Sequence, residues 1–169
     1  LSRVSVFNSS GHLLFRFGGP GVGNGQLSNP FGVAILPSGR VVVADTGNHR
    51  VQVFSSAGQY LYKFGGPGAS PTQFRSPFGV ATDASGRIYV ADSGNHRVKV
   101  FSEFGGALFN FGGNGTGAGQ FRTPRALAVD GAGTIFVADR DNDRVQFFSS
   151  SGAYRGTFFG RLNRPRGVA

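Results

Sequence analysis

One octapeptide constrains this chain more than anything else in it, because it returns at a fixed interval. Ala44-Asp45-Thr46-Gly47-Asn48-His49-Arg50-Val51 recurs 47 residues later as Ala91-Asp92-Ser93-Gly94-Asn95-His96-Arg97-Val98. It recurs after a further 47 as Ala138-Asp139-Arg140-Asp141-Asn142-Asp143-Arg144-Val145. The frame extends beyond the motif: Phe17-Gly18-Gly19 becomes Phe64-Gly65-Gly66 and Phe111-Gly112-Gly113. Pro30, Pro77 and Pro124 keep step, and Pro165 falls six residues early. A unit of this length repeating in register is a supersecondary module that buries its apolar faces against its neighbours.

Within one unit the pattern is that of strands. Gly79–Ala81, Ile88–Ala91, Val98–Phe101 and Ala107–Phe111 are short apolar runs separated by clusters of Gly, Asn, Asp, Ser and Pro. No long stretch places apolar residues at helical spacing. Each unit therefore reads as a four-stranded antiparallel meander, one blade of an all-β propeller. The expected division is a partial blade over 1–29, blades over 30–76, 77–123 and 124–164, and the start of another over 165–169. The first strand, Phe31-Gly32-Val33-Ala34-Ile35, interleaves small residues, as a strand crowded around an axis requires. The second, Val41-Val42-Val43-Ala44, is continuously apolar and suits burial on both faces. Gln52, Lys63 and Lys99 break up the outer strands, which therefore read as more exposed.

These residues resemble a known family. Pro-Phe-Gly-Val-Ala, then Ser-Gly-Arg, then Val-Ala-Asp-x-Gly-Asn-His-Arg-Val-x-Val-Phe is similar to the NHL repeat, whose signature is Asn-His-Leu. Arg stands here in place of Leu, and the third unit carries Asn142-Asp143-Arg144 with no histidine. The resemblance implies a propeller that usually closes six blades. Six blades at this period need about 280 residues, against 169 here. The chain thus reads as part of a longer propeller. The alternative is a tandem-array or filament block whose open blade edges are completed by other copies.

The signature itself reads as structural. Asp45, Asp92 and Asp139 close the second strand and face Arg50, Arg97 and Arg144 at the start of the third. The Asp and Asn side chains are expected to satisfy backbone donors of the turn between them. His49 and His96 occupy a position that the third unit fills with Asp143, so they read as turn residues and not as metal ligands. With His12 they are the chain's three histidines, and there is no cysteine, so no cofactor or metal is expected. The amidating lyases that the repeat resembles hold a metal with histidines in the central channel. None of these three histidines lies on an innermost strand, and the sequence reading takes the chain as no enzyme.

Function is sought where the units differ. Lys and Arg number 17 against 8 acidic residues, a net charge of +9. The inter-blade loops grow more basic along the chain, from Gln26–Phe31 with no charge to Arg75, then Arg122 and Arg125, then Arg161, Arg164 and Arg166. Arg140 lies in a turn expected on the same rim, and Phe31 and Phe78 are expected at the rim nearest the axis. Such a surface suits a macromolecular partner, either a protein or a polyanion such as RNA or an acidic polysaccharide, since arginine forks match phosphate oxygens and stack on bases. The resemblance adds that tripartite-motif proteins with NHL propellers bind RNA through a basic rim, whereas other family members bind proteins. Asn8-Ser9-Ser10 and Asn114-Gly115-Thr116 are glycosylation sequons in expected turns. No apolar run is long enough to insert into a membrane.

Overall fold

The computed structural model describes residues 2–158 and 162–169. Among these, three four-stranded antiparallel sheets and one two-stranded sheet follow each other along the chain. The two-stranded sheet comprises β1 (Arg3–Phe7) and β2 (Leu13–Gly18). The next contains β3 (Val33–Ile35), β4 (Val41–Asp45), β5 (Arg50–Phe54) and β6 (Tyr60–Gly65). It is followed by β7 (Pro77–Thr82), β8 (Ile88–Asp92), β9 (Arg97–Phe101) and β10 (Ala107–Gly112). The last holds β11 (Pro124–Val129), β12 (Ile135–Asp139), β13 (Arg144–Phe148) and β14 (Tyr154–Phe158). Every sheet is a meander in sequence order, which short turns rich in Gly, Asn and Ser allow. Among the described residues a single 3₁₀ turn lies between the second and third strands of each full sheet, at Thr46–Asn48, Ser93–Asn95 and Arg140–Asn142.

The repeat in sequence is a repeat in space. Asp45 pairs with Arg50, Asp92 with Arg97 and Asp139 with Arg144 at the same ladder position. The continuously apolar second strands are buried on both sides, Val42 and Val43 in β4 and Ile88 through Ala91 in β8. One core lies between the β3–β6 and β7–β10 sheets, built from Val42, Val51 and Val53 against Val80, Ile88 and Phe101. A second lies between the β7–β10 and β11–β14 sheets, with Tyr89, Val98 and Val100 against Leu127, Val137 and Phe148. Leu27, Phe74 and Phe121, one from each inter-blade loop, plug the same place in successive sheets and are fully buried. Each such side chain contributes about 1.5–3 kcal/mol by leaving water, so the loops are anchored to the sheets they lead into.

The innermost strands approach closely. A Cβ on Gly32 would sit 2.5 Å from the Phe78 carbonyl oxygen, and one on Gly79 would sit 2.6 Å from that of Arg125. These contacts are with backbone, so neither glycine can be replaced without moving a strand. β3 itself begins at Val33, two residues later than the apolar pattern implies.

Gln52 and Lys99 depart from their expected exposure: they are 0% and 1% exposed, whereas Lys63 is on the surface. The cause is the inter-blade loop, which folds back over the third strand. Gln52 donates to the Gln26 carbonyl and accepts from the Gly25 N–H. Lys99 donates to the carbonyls of Ser70, Pro71 and Gln73. Polar side chains facing this loop are buried because its carbonyls satisfy them.

Candidate binding rim

The rim is built on the repeated Asp–Arg pair. Arg50 Nε lies 2.7 Å from Asp45 Oδ2, Arg97 Nε 3.0 Å from Asp92 Oδ2, and Arg144 Nε 2.8 Å from Asp139 Oδ2. The three aspartates are fully buried. The remaining guanidinium donors turn outward to the inter-blade loop: Arg50 donates to the carbonyls of Val22, Gly23 and Gln26, and Arg144 to those of Thr116, Gly117 and Gln120. Arg97 makes the equivalent bonds to Ala69 and Ser70.

The other aspartate oxygen does something that spacing alone did not indicate. Asp45 Oδ1 accepts from the Ser28 N–H, Asp92 Oδ1 from Arg75 N–H and Asp139 Oδ1 from Arg122 N–H, at 2.7–2.8 Å. These donors belong to the inter-blade loop and not to the turn itself. The turn satisfies the same loop from its own backbone, since Gly47 N–H donates to Ser28 O, Gly94 N–H to Arg75 O and Asp141 N–H to Arg122 O. The signature therefore latches each loop onto the 3₁₀ turn and places both on one rim. His49 and His96 extend the latch to the next blade. Both hold the left-handed conformation, and their Nδ1 atoms accept from Ser76 N–H and Thr123 N–H. Asp143 takes the same role toward Arg164 N–H at 2.7 Å. A short side chain with an acceptor and tolerance of positive φ serves here, which is why Asp replaces His.

On this rim the structure gathers some of the expected arginines. Arg140 Nη1 lies 2.8 Å from Asp141 Oδ1, and Arg164 Nη2 lies 3.1 Å from the same oxygen. Burial works to raise the Asp141 carboxyl, but hydrogen bonds from Thr123 and Arg164 and the charges of Arg140 and Arg164 hold it below the usual range. Arg125, at the start of β11, has its guanidinium carbon 4.7 Å from the Phe31 ring centre and 4.3 Å from that of Phe78. Burial, then the charges of Arg140, Arg166 and Arg164, lower its affinity for its proton, with Asp141 opposing. Arg125, Arg140, Arg164 and Arg166 thus form a cluster, with Asp143 against Arg164 and one further carboxylate among them. That carboxylate, Asp141, is a member the sequence reading missed; it lies in the same 3₁₀ turn as Arg140.

Arg75 and Arg122 are exposed on the adjoining loops, and Arg75 packs along the Gly94 turn. Arg161 lies outside the described residues. Of the sequon residues, Asn8 is spent in its own turn, its Oδ1 accepting from Ser10 and His12 N–H. Asn114 is exposed at the place Pro20 and Pro67 hold in the other units. Among the described residues no group of three His, Cys, Asp or Glu side chains converges on a common point. No described helix is long and apolar enough to cross a membrane.

Four-stranded meanders packed side by side about closely spaced inner strands define a β-propeller. The NHL repeat family model matches residues 27–54 and 74–101. Those two stretches of the chain are therefore NHL repeats. No curated protein sequence matches it. Among solved structures it resembles virginiamycin B lyase from Staphylococcus aureus, with a TM-score of 0.72 at 10% identity over 99% of this chain and 53% of that one. It also resembles a streptogramin B lyase, with a TM-score of 0.65 at 15% identity over 83% and 44%. A nidogen/laminin complex matches with a TM-score of 0.60 at 21% identity over 82% and 51%. The chain spans about half the length of these structures, and identities this low speak to the fold.

These neighbours correct one expectation. Inner strands without histidine imply a chain that is no enzyme. Two lyases share the architecture, so the fold does not exclude catalysis. On a propeller the chemistry is set by side chains grafted on the scaffold, which the fold does not dictate.

Proposed function

We propose that this propeller is a binding scaffold whose arginine-bearing rim takes an acidic macromolecule, with single-stranded RNA the first polymer to test. The observation that carries this reading is the cluster of Arg125, Arg140, Arg164 and Arg166, four guanidinium groups against the two carboxylates of Asp141 and Asp143. A folded chain gains little by concentrating like charge at one place, and such a surface attracts polyanions over long range. The exposed Phe31 beside the cluster adds an aromatic edge of the kind that supports unstacked bases. The test is retention on immobilised single-stranded RNA, with heparin as a second polyanion. Wild-type protein is retained at low salt and released as salt rises, and Arg125→Ala/Arg140→Ala/Arg166→Ala passes through. Protein that is folded yet not retained by either polymer leaves protein recognition as the role of this rim.

Self-association is a second reading with an observation of its own. β1 pairs only with β2 among the described strands, and Phe7, Val33 and Ile35 near its free side are exposed. An open strand edge recruits partners. Sedimentation equilibrium showing monomer alone at every concentration removes it.

A further inference from the structure

The blades also differ on the rim opposite the latches. There the turns that join first to second strand and third to fourth strand meet between neighbouring blades. At the first interface Glu103, in the β9–β10 turn, reaches Arg40 of the preceding blade, its Oε1 3.2 Å from Arg40 Nη1. Its Oε2 lies against the Gly86 turn. One period later Arg87 keeps the place of Arg40, but Ser150 stands where Glu103 did.

Where the longer side chain is missing there is a cavity of about 210 Å³, whose lining includes Asp83, Ser85, Arg87, Asp130, Gly133 and Ser150. It lies between two complete blades. The Arg87 side chain is 30% exposed, so its wall is open to water. Arg87 Nη1 reaches the Ser150 carbonyl at 3.3 Å, and Nη2 has no hydrogen-bond partner among the described residues. Asp83 Oδ2 is occupied, accepting from Arg87 Nε at 2.6 Å and from the Tyr89 hydroxyl. Asp130 is its counterpart one blade on, but Thr134 and Phe136 replace Arg87 and Tyr89 there. Asp130 Oδ1 binds its own turn, accepting from Ala132 and Thr134 N–H. Its Oδ2 has neither of the partners that Asp83 has, and the residue is exposed.

The lining thus presents a guanidinium donor, a carboxylate acceptor and two serine hydroxyls that can do both. Two carboxylates oppose an anion and the guanidinium opposes a cation, whereas a neutral ligand rich in hydroxyls uses donor and acceptor together. Sites for drug-sized ligands start at about 300 Å³, so this smaller cavity suits a single ring. We propose that it binds one neutral sugar ring, whose adjacent hydroxyls donate to Asp130 and one of whose oxygens accepts from Arg87 Nη2. The site is independent of the arginine rim, which lies at the other end of the blades.

The test titrates methyl α-glucoside, methyl α-mannoside, methyl β-galactoside and N-acetylglucosamine into isotope-labelled protein, followed by amide NMR at Gly131 and Gly133. Methylammonium chloride and sodium acetate serve as charged probes. At least one sugar shifts both resonances saturably, and neither charged probe does. Asp130→Asn binds that sugar about 10-fold more weakly, the loss of one charged hydrogen bond. Ser150→Glu copies the first interface, fills the cavity and abolishes binding. Ser150→Gln fills the same space without a third carboxylate and acts likewise. Arg122→Ala, on the arginine rim, binds as wild type, and the amide spectrum of each variant reports its fold. No saturable shift with any of these sugars overturns the inference. Wild-type affinity in folded Ser150→Gln, or a response to a charged probe alone, overturns it too.

Discussion

Asp92→Ala is the most informative single change in the latch, because this aspartate serves two cations where its counterparts serve one. It is fully buried, 3.0 Å from Arg97 Nε and 3.9 Å from Lys99 Nζ. Asp45 and Asp139 face one arginine each and the neutral amides of Gln52 and Gln146. Removing one partner of a buried ion pair costs about 3–5 kcal/mol, since the other charge stays buried and uncompensated. Lys99 is 1% exposed, so its ammonium has no route to water while the loop is closed. Asp92→Ala is therefore expected at the top of that range, about 1–2 kcal/mol beyond Asp45→Ala or Asp139→Ala. In a domain of this size that lowers Tm by about 10 °C. Urea unfolding at neutral pH measures it. Lys99→Gln, which copies the other two blades, is expected to cost under about 1 kcal/mol alone and to recover about 1–2 kcal/mol in the Asp92→Ala background. An Asp92→Ala cost below about 1 kcal/mol, or no recovery from the second change, refutes the reasoning.

Other outcomes follow from the same contacts. His96→Asp keeps the acceptor for Thr123 N–H, as Asp143 does natively for Arg164, and is expected within about 0.5 kcal/mol of wild type by urea unfolding, whereas His96→Leu loses about 1–2 kcal/mol; equal costs for the two would contradict the latch. Gly79→Val forces a side chain against the Arg125 carbonyl and is expected to cost about 3 kcal/mol or more, while the same change at exposed Gly131, whose added Cβ meets nothing within 4 Å, stays within about 1 kcal/mol. Burial, then the Arg97 guanidinium, pushes Lys99 down to about 8 from its ordinary 10.5, with Asp92 opposing. The unfolded chain then binds more protons between those values, so stability rises from about pH 8 toward pH 10; Lys99→Gln should lack that rise, and identical pH profiles for the two proteins would contradict it.

The strand plan was legible because a period repeated in register reports on every copy at once. Val43, Val90 and Val137 occupy equivalent buried places whatever their local propensity. The Asp–Arg pairs were legible for the same reason. The loop's return over the third strand was not, because Gln52 and Lys99 look like surface residues until the carbonyls of Gln26 and Ser70 are seen to meet them. The rim arginines were visible as a rising count, but a count carries no distances. Asp141 sits within that run and takes up part of its charge. The meeting of Phe31, Phe78 and Arg125 depends on how closely the inner strands converge, which small residues such as Gly32 and Gly79 permit but do not specify.

The measurement that bears most directly on the rim is the salt dependence of single-stranded RNA affinity, compared between wild type and Arg125→Ala/Arg140→Ala/Arg166→Ala. Each neutralised phosphate on a single strand adds about −0.7 to the slope of log affinity against log salt. With three such contacts removed, the account predicts a wild-type slope steeper by about 2 than that of the triple variant, together with weaker binding by the variant at low salt. Equal slopes and equal affinities in two folded proteins would place the acidic partner elsewhere on the propeller and contradict the account.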